Sequence, residues 1–348
     1  MKRIAFIFIV IAVIAVSAKA QDVHFSQFNA SPLQLNPALT GAFNADHRLT
    51  ANFKTQWKSI INKPYTTFSF SYDAGILKKA SRAGFLGLGI YAYNDRGGDS
   101  KLNTTQLDIS AAYHLLANTH NYLTLGLQGG FIFKSLQDAD LRWDAQYDPS
   151  IDGGYNPALS SGEAVGFGRS NVVDVSAGFL WSFNSNPTNM SSNDGVKLNL
   201  GISAFHLNQP KISFVNHLDK KLYARFTVHT NMFIGLKNSN LAILPSALFN
   251  IQGPSTEIIA GTYLRYRLKN ASHFTRFEIE SAIALGGFYR IGDAVIIALT
   301  GEWKNFTLGF SYDVNVSGLT DVSRGRGGLE VSIKYITPIF TANNKSLF

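Results

Sequence analysis

Apolar and polar residues alternate with a period of two along most of the chain. From Phe306 one face reads Phe306, Leu308, Phe310, Tyr312 and Val314, and the other Thr307, Gly309, Ser311, Asp313 and Asn315. The last run sets Leu329, Val331, Ile333 and Tyr335 against Glu330, Ser332 and Lys334. Leu107, Ile109, Ala111 and Tyr113 oppose Gln106, Asp108, Ser110 and Ala112. Val173, Val175, Ala177, Phe179 and Trp181 oppose Asp174, Ser176 and Gly178. Successive side chains of a strand point to opposite faces, so this period predicts β-structure. Each run is about ten residues, the length a tilted strand needs to cross a bilayer.

Such runs predict about fourteen strands, over 49–57, 65–73, 85–94, 104–116, 121–134, 171–183, 197–207, 222–236, 240–251, 256–268, 274–288, 293–303, 305–315 and 328–337. The expected fold is all-β: a transmembrane antiparallel barrel with a periplasmic or lumenal N-terminal segment. A soluble sandwich also alternates, but its wet face carries more charge than this one. Here that face is Gly, Ser, Thr, Asn and Gln with scattered charges, as a lumen would be, and the other is bulky and apolar, as lipid requires. In hydrocarbon every strand edge must be paired, so the sheet is expected to close.

Composition sharpens the picture. Charged residues make up 16%, against roughly 25% in soluble domains, and aromatics 13%. Mean hydropathy is only +0.02. The one long apolar run, Ile4–Val16, follows Lys2 and Arg3 and precedes Ser17-Ala18-Lys19-Ala20. That order predicts a Sec-type signal peptide over 1–20, cleaved after Ala20 and too short to span. Its removal takes three cations and no acid, lowering the formal charge from +8 to +5. No dense basic run survives, so nucleic acid is not an expected partner. The chain has no cysteine, which excludes thiol redox chemistry and thiolate zinc sites. The expected organisation is 1–20 signal, 21–48 irregular segment, 49–338 barrel and 339–348 a short tail.

Tyr72, Trp181, Phe183, Tyr266, Trp303 and Tyr335 fall near periplasmic strand ends, and Trp57 and Tyr65 flank the first outer turn, as an aromatic girdle would. The connections at 236–239 and 304–305 are tight and inner. The longest, 135–170, is outer, as are 95–103, 208–221 and 316–327. Loops of that length are usually functional or disordered.

No P-loop, His-Glu-x-x-His or Gly-x-Ser-x-Gly is present, so no catalysis and no cofactor are expected. Gly84, Gly87 and Gly89 read as pleat-softening glycines of a strand, and His114 and His206 as strand residues near an interface. Asp138, Asp140, Asp144, Asp148 and Asp152 crowd the long outer loop. Their spacing suits a hard cation such as Ca²⁺, but the glycine and terminal glutamate of an EF-hand loop are missing. A solvated acidic loop is the plainer expectation.

Residues 21–48 show neither period. They read His24-Phe25-Ser26-Gln27-Phe28, then Pro32-Leu33-Gln34-Leu35-Asn36-Pro37-Ala38 and Gly41. This stretch closely resembles the opening of the PorP/SprF family of Bacteroidota outer-membrane proteins. The resemblance continues through Gln56-Trp57, Pro64-Tyr65-Thr66-Thr67, Ser69, Ser71, Tyr72 and Asp73. It runs on through Asp144-Ala145-Gln146-Tyr147, Asn156-Pro157, Ser161-Gly162-Glu163, Gly309 to Asp313 and Glu330 to Ile333. It implies an outer-membrane barrel of the type IX secretion system. Such a barrel would work with other components of that system and receive the C-terminal sorting domain of a secreted surface protein, gliding adhesins included. His24, Phe25, Ser26, Gln27, Phe28, Pro32, Leu35, Asn36, Pro37, Ala38 and Gly41 would then either plug the lumen or touch the partner. The competing class is a passive porin for small solutes, since a barrel of this size leaves a lumen unless it is filled.

Overall fold

The computed structural model describes residues 22–58, 63–76, 78, 84–98, 102–136, 142–162, 169–186, 195–212, 221–269, 281–318 and 320–337. The expected signal, the expected tail, residues 274–280 of the eleventh predicted strand and Asp138 and Asp140 lie outside these residues. Fourteen strands form one closed antiparallel barrel. They are β1 His47–Gln56, β2 Tyr65–Ile76, β3 Gly84–Gly97, β4 Leu102–Leu116, β5 Asn121–Ser135, β6 Arg169–Asn184 and β7 Val196–Phe205, then β8 Arg225–Gly235, β9 Leu241–Gln252, β10 Ser255–Lys269, β11 Ser281–Arg290, β12 Ala294–Trp303, β13 Phe306–Asn315 and β14 Arg326–Ile336. Each pairs with its neighbours in sequence, and β1 closes on β14 from Arg48–Ile336 to Thr55–Leu329. Closure leaves no strand edge unpaired, the condition hydrocarbon imposes on a sheet.

The alternation sorts side chains as it must. Ile109, Leu125, Leu127, Val173, Leu285, Ile297 and Phe310 point outward and are exposed, while Asp108, Ser110, Gln128, Asp174, Ser176 and Ser311 point inward and are buried. Some predicted strand ends move. β8 starts at Arg225, three residues later than its pattern suggests. β7 stops at Phe205, because His206 takes a left-handed φ of 55° that ends the extended backbone.

Long and short connections also sort by end. Leu236 to Asn240 and Lys304-Asn305 turn tightly at the end where β1 begins, with Asn238 and Lys304 at positive φ. The 136–168 connection lies at the opposite end, which is therefore the outer one. The outer side is not uniformly long: Gly253-Pro254 joins β9 to β10, and 291–293 joins β11 to β12.

The inward face departs from a wholly polar lumen on one side. Leu180, Leu248, Ile259, Phe288 and Ile296 point inward and are buried together, and Ala294 and Ala298 share the inward face of β12 with Ile296. They meet residues 22–46, which thread the barrel. Phe28, Leu35, Ala38, Leu39 and Ala42 complete that apolar cluster.

The lipid face gives a direct test. Leu127 faces outward in mid-β5 beside the inward, buried Gln128. Leu127→Arg is expected to destabilise the barrel by about 2–4 kcal/mol, as a cation near the bilayer midplane does. Urea titration of the protein folded into lipid vesicles would read the loss, and an unchanged midpoint would place Leu127 off the lipid.

Candidate functional site

The 22–46 segment has little secondary structure of its own: 3₁₀ turns at Phe28–Ala30 and Pro37–Leu39 and one α-turn at Pro32–Leu35. Pro32 and Pro37 start their turns, where a missing N–H costs nothing. Asn36 accepts the Ala38 N–H at 2.8 Å and caps the third turn. The segment enters beside the inner end of β1, where Lys78 donates to the carbonyls of Phe43 and Ala45. Its first described residue, Asp22, lies against Gln252, His206 and Arg225, at the outer ends of β7 to β9.

The barrel wall holds it by its backbone at three heights. At the inner end Asp73 accepts the Gly41 N–H at 2.7 Å and pairs with Arg48 at 2.6 Å, and Arg48 donates to the Leu39 carbonyl. His114 contacts the Thr40 carbonyl through Nε2 at 2.7 Å, which fixes the proton on that nitrogen; Nδ1 meets Thr124 Oγ1 at 2.9 Å. Midway, Asn36 donates to the carbonyls of Phe179 (3.0 Å) and Ile202 (3.3 Å), and Ser203 donates to the Leu35 carbonyl. Higher up, the buried Glu330 carboxylate accepts the N–H groups of Ser26 at 2.8 Å and Gln27 at 3.1 Å. Gln27 also donates to Ser311 and accepts from Ser332, while Lys54 donates to the His24 carbonyl.

His114 lies near the inner end of β4, as expected, and also contacts the segment; His206 lies just past β7 rather than in a strand, and contacts the segment too. The glycines change meaning too. A Cβ on Gly87 would sit 2.1 Å from the Thr40 carbonyl oxygen, and one on Gly126 would sit 2.4 Å from both Ala38 N and Pro37 C. Gly87, and Gly126 which the sequence did not single out, clear space for another stretch of backbone, whereas Gly84 lies against His114 and Tyr113 of β4. Sequence reasoning missed this cradle, and missed the wall carboxylates Asp73, Glu330 and Asp313. The available signal was β12, Ala294-Val295-Ile296-Ile297-Ala298, apolar on both faces where a wet lumen would be polar on one.

Every residue singled out from the opening motif lies inside the barrel. Phe25, Ser26, Gln27, Phe28, Pro32, Leu35, Asn36, Pro37, Ala38 and Gly41 are buried, and His24 is half-buried. Two lumenal cavities flank the same stretch. One of about 260 Å³ is lined by Ser26 to Ala30 with Glu302, Thr307 and Lys334 towards the inner end. The other, about 580 Å³, lies between Asp22–His24 and the outer mouth, rimmed by Trp57 and Tyr65. Those two rings therefore border a cavity, beyond the girdle role expected of them. They pack edge-to-face at 5.1 Å, and Trp57 takes a left-handed φ of 61°, an outlier for a bulky residue. In the outer loop, Asp148 accepts from Ser150 and Asn156, which orders a turn. Among the described residues no three His, Asp or Glu side chains converge as a cation site.

Asp22, at the outer end of the described segment, forms an ionic latch. His206 lies 2.6 Å from Asp22 and 2.8 Å from Asp174. Burial alone would raise the Asp22 carboxyl, but His206 and Arg225 outweigh it and hold it well below the ordinary carboxylate range. Burial alone would lower His206, but the two carboxylates outweigh it and raise the imidazole to about 9. For His24, burial and then the charges of Lys54 and Arg290 push the imidazole well below its usual range, leaving it neutral.

Two predictions follow from this geometry. Gly126→Leu leaves no room for Pro37 and Ala38, so the segment is expected to unseat. Planar-bilayer conductance should then rise well above wild type while heat-modifiable migration on gels is kept; wild-type conductance would show the segment unmoved. The latch has a set pH range. The raised His206 stabilises fully below its unfolded value of 6.5 and loses that effect as pH climbs through about 9. The depressed Asp22 stabilises above 3.8 and loses it only in strong acid. A nitroxide on Val23→Cys, the only cysteine the chain would then have, is expected to sharpen as pH passes about 9. His206→Gln should remove that transition, and a spectrum flat with pH in wild type would contradict the latch.

The barrel resembles solved outer-membrane barrels at low identity. BamA from Haemophilus ducreyi lacking POTRA domains 1–3 matches with a TM-score of 0.40 and 10% identity, over 84% of this chain and 71% of that one. A Pseudomonas aeruginosa FadL homologue matches with 0.42 and 10%, over 86% and 92%. The β domain of the Bordetella autotransporter BrkA matches with 0.34 and 10%, over 84% and 98%. No curated protein matches the sequence. The family model for the type IX secretion system membrane protein PorP/SprF matches residues 17–335. Its span takes in the threaded segment and all but the last residue of β14, and the closed barrel with its apolar outer face is what that family's place in the outer membrane requires. This chain belongs to the PorP/SprF family of type IX secretion system outer-membrane proteins.

Proposed function

We propose that this barrel binds an exported surface protein, adhesin-like and delivered by the type IX system, through its C-terminal sorting domain. On this reading the barrel holds that protein at the cell surface without conducting solutes. The observation that carries the reading is the filled lumen. The chain's own segment occupies it from Gly41 at the inner end to Asp22 near the outer mouth, held by wall groups on at least seven strands. A diffusion pore keeps its lumen open and wet. A barrel closed in this way offers its partners an outer rim, loops and an outer cavity. Membership in the family supports joint work with other type IX components, and the sorting-domain contact is the finer step proposed here.

A native pull-down of the tagged barrel from detergent-solubilised outer membrane, read by mass spectrometry, tests the reading. The expected result is recovery of an exported surface protein, lost when that protein's C-terminal domain is deleted. Recovery of the barrel alone, together with open-pore conductance of the purified wild type, would return it to the porin class.

A further inference from the structure

The outer cavity has a chemistry of its own. Its lining includes the carboxylates of Asp95, Glu257, Asp293 and Asp313. Asp22 also borders it, but that carboxylate is taken up by His206 and Arg225. Against the four stand three cations, Arg290 in the lining and Lys54 and Lys134 beside it, the latter two acting on Asp95. Arg290 reaches Glu257 at 3.3 Å, Asp293 at 2.9 Å and Asp313 at 3.1 Å. One guanidinium thus serves three carboxylates, and negative charge is left over.

The leftover capacity has a definite location. Asp313 is only 3% exposed. Its Oδ2 accepts from Ser26 Oγ at 2.7 Å and from Arg290, yet its Oδ1 meets no hydrogen-bond donor among the described residues. A buried carboxylate oxygen without a donor is unfavourable, and its uncompensated charge falls on the cavity that Asp313 lines. Asp95 accepts from Thr67 through one oxygen, and Asp293, 40% exposed at its side chain, stands nearer the mouth. Trp57 and Tyr65 add aromatic rings to the same lining, chemistry suited to a cation's stem and charge. A cavity of about 580 Å³ has the size of a small-ligand pocket and admits a few side chains, not a folded domain.

We infer that the outer cavity is a docking pocket for a lysine or arginine side chain, presented by an extended segment of the exported partner and seated among Asp95, Asp293 and Asp313 against Trp57. The assignment rests on the partner-binding reading above and adds to it a place and a charge. Negative charge at the mouth also steers a basic segment towards the lumen before contact.

The test uses the full barrel in phosphatidylcholine nanodiscs with labelled tetra-arginine and tetra-glutamate peptides, read by fluorescence anisotropy. Wild type is expected to bind the basic peptide at least about tenfold tighter than the acidic one. Asp95→Asn combined with Asp293→Asn should weaken the basic peptide about tenfold, the scale of two lost ion contacts. Asp144→Asn with Asp152→Asn, in the acidic loop outside the cavity, should leave binding unchanged. Both pairs are isosteric, and heat-modifiable migration confirms that each variant has folded. Equal weakening by the two pairs, or equal binding of the two peptides, would overturn the pocket. The same variants in the pull-down separate the two readings. If wild type and Asp95→Asn/Asp293→Asn retain the exported protein equally, the pocket is wrong and the partner-binding reading stands. If wild type retains none while the peptide result holds, the pocket stands as a cation site and the partner reading fails.

Discussion

A bilayer interior offers no partner for a backbone N–H or C=O, and the rest of this molecule follows from that. Strands can cross only if every edge is paired, so β1 must meet β14. With fourteen strands closed, the diameter is set and exceeds what wall side chains can fill. The space has to hold water or protein. Here a stretch of the same chain takes it. That stretch in turn brings its own unpaired backbone groups into the lumen, and the wall supplies the partners: Asp73 for Gly41, His114 for Thr40, Glu330 for Ser26 and Gln27. Polar residues on the inner face are therefore specific acceptors and donors rather than a generic wet lining.

The same logic explains how charges survive inside the barrel. Asp73 and Arg48 are both buried and pair at 2.6 Å, each with a further bond to the segment's backbone. Around Arg290, carboxylates from β10, β13 and the 291–293 turn converge on one guanidinium. Buried ions endure when paired and hydrogen-bonded on their remaining sides. Near the inner end that requirement is met by neighbouring strands and the segment together. Near the outer end it is met incompletely, and the incompleteness faces the cavity.

Much of the fold was legible because the alternation of each strand is a local property. Phe306 to Asn315 shows its two faces without reference to anything distant, and each of the fourteen runs holds a strand among its described residues. The end of β7 was not legible, since the left-handed turn at His206 serves a contact with Asp22, far away in sequence. The opening motif could be singled out, but aperiodic residues carry no sign of which wall they meet, so lumen and partner stayed open alternatives. Gly87 was misleading for a related reason. A glycine in a strand has the same appearance whether it relieves curvature or admits another backbone. The inward alanines and isoleucine of β12, with Ala282, Ala284 and Phe288 of β11, broke the lumenal pattern enough to betray an apolar guest, and that departure was easily lost among outward Val295, Ile297 and Leu299.

Glu330 belongs to β14 and Lys54 to β1, and both grip the threaded residues at the seam where the first and last strands join. The register there pairs Lys54 directly with Glu330. Because the segment leads straight into β1, it is tethered at the inner mouth and can never drift far from its seat. The two wall groups that hold it at the seam stand side by side only once the first and last strands have paired. Closing the wall therefore also completes the grip on what lies inside it.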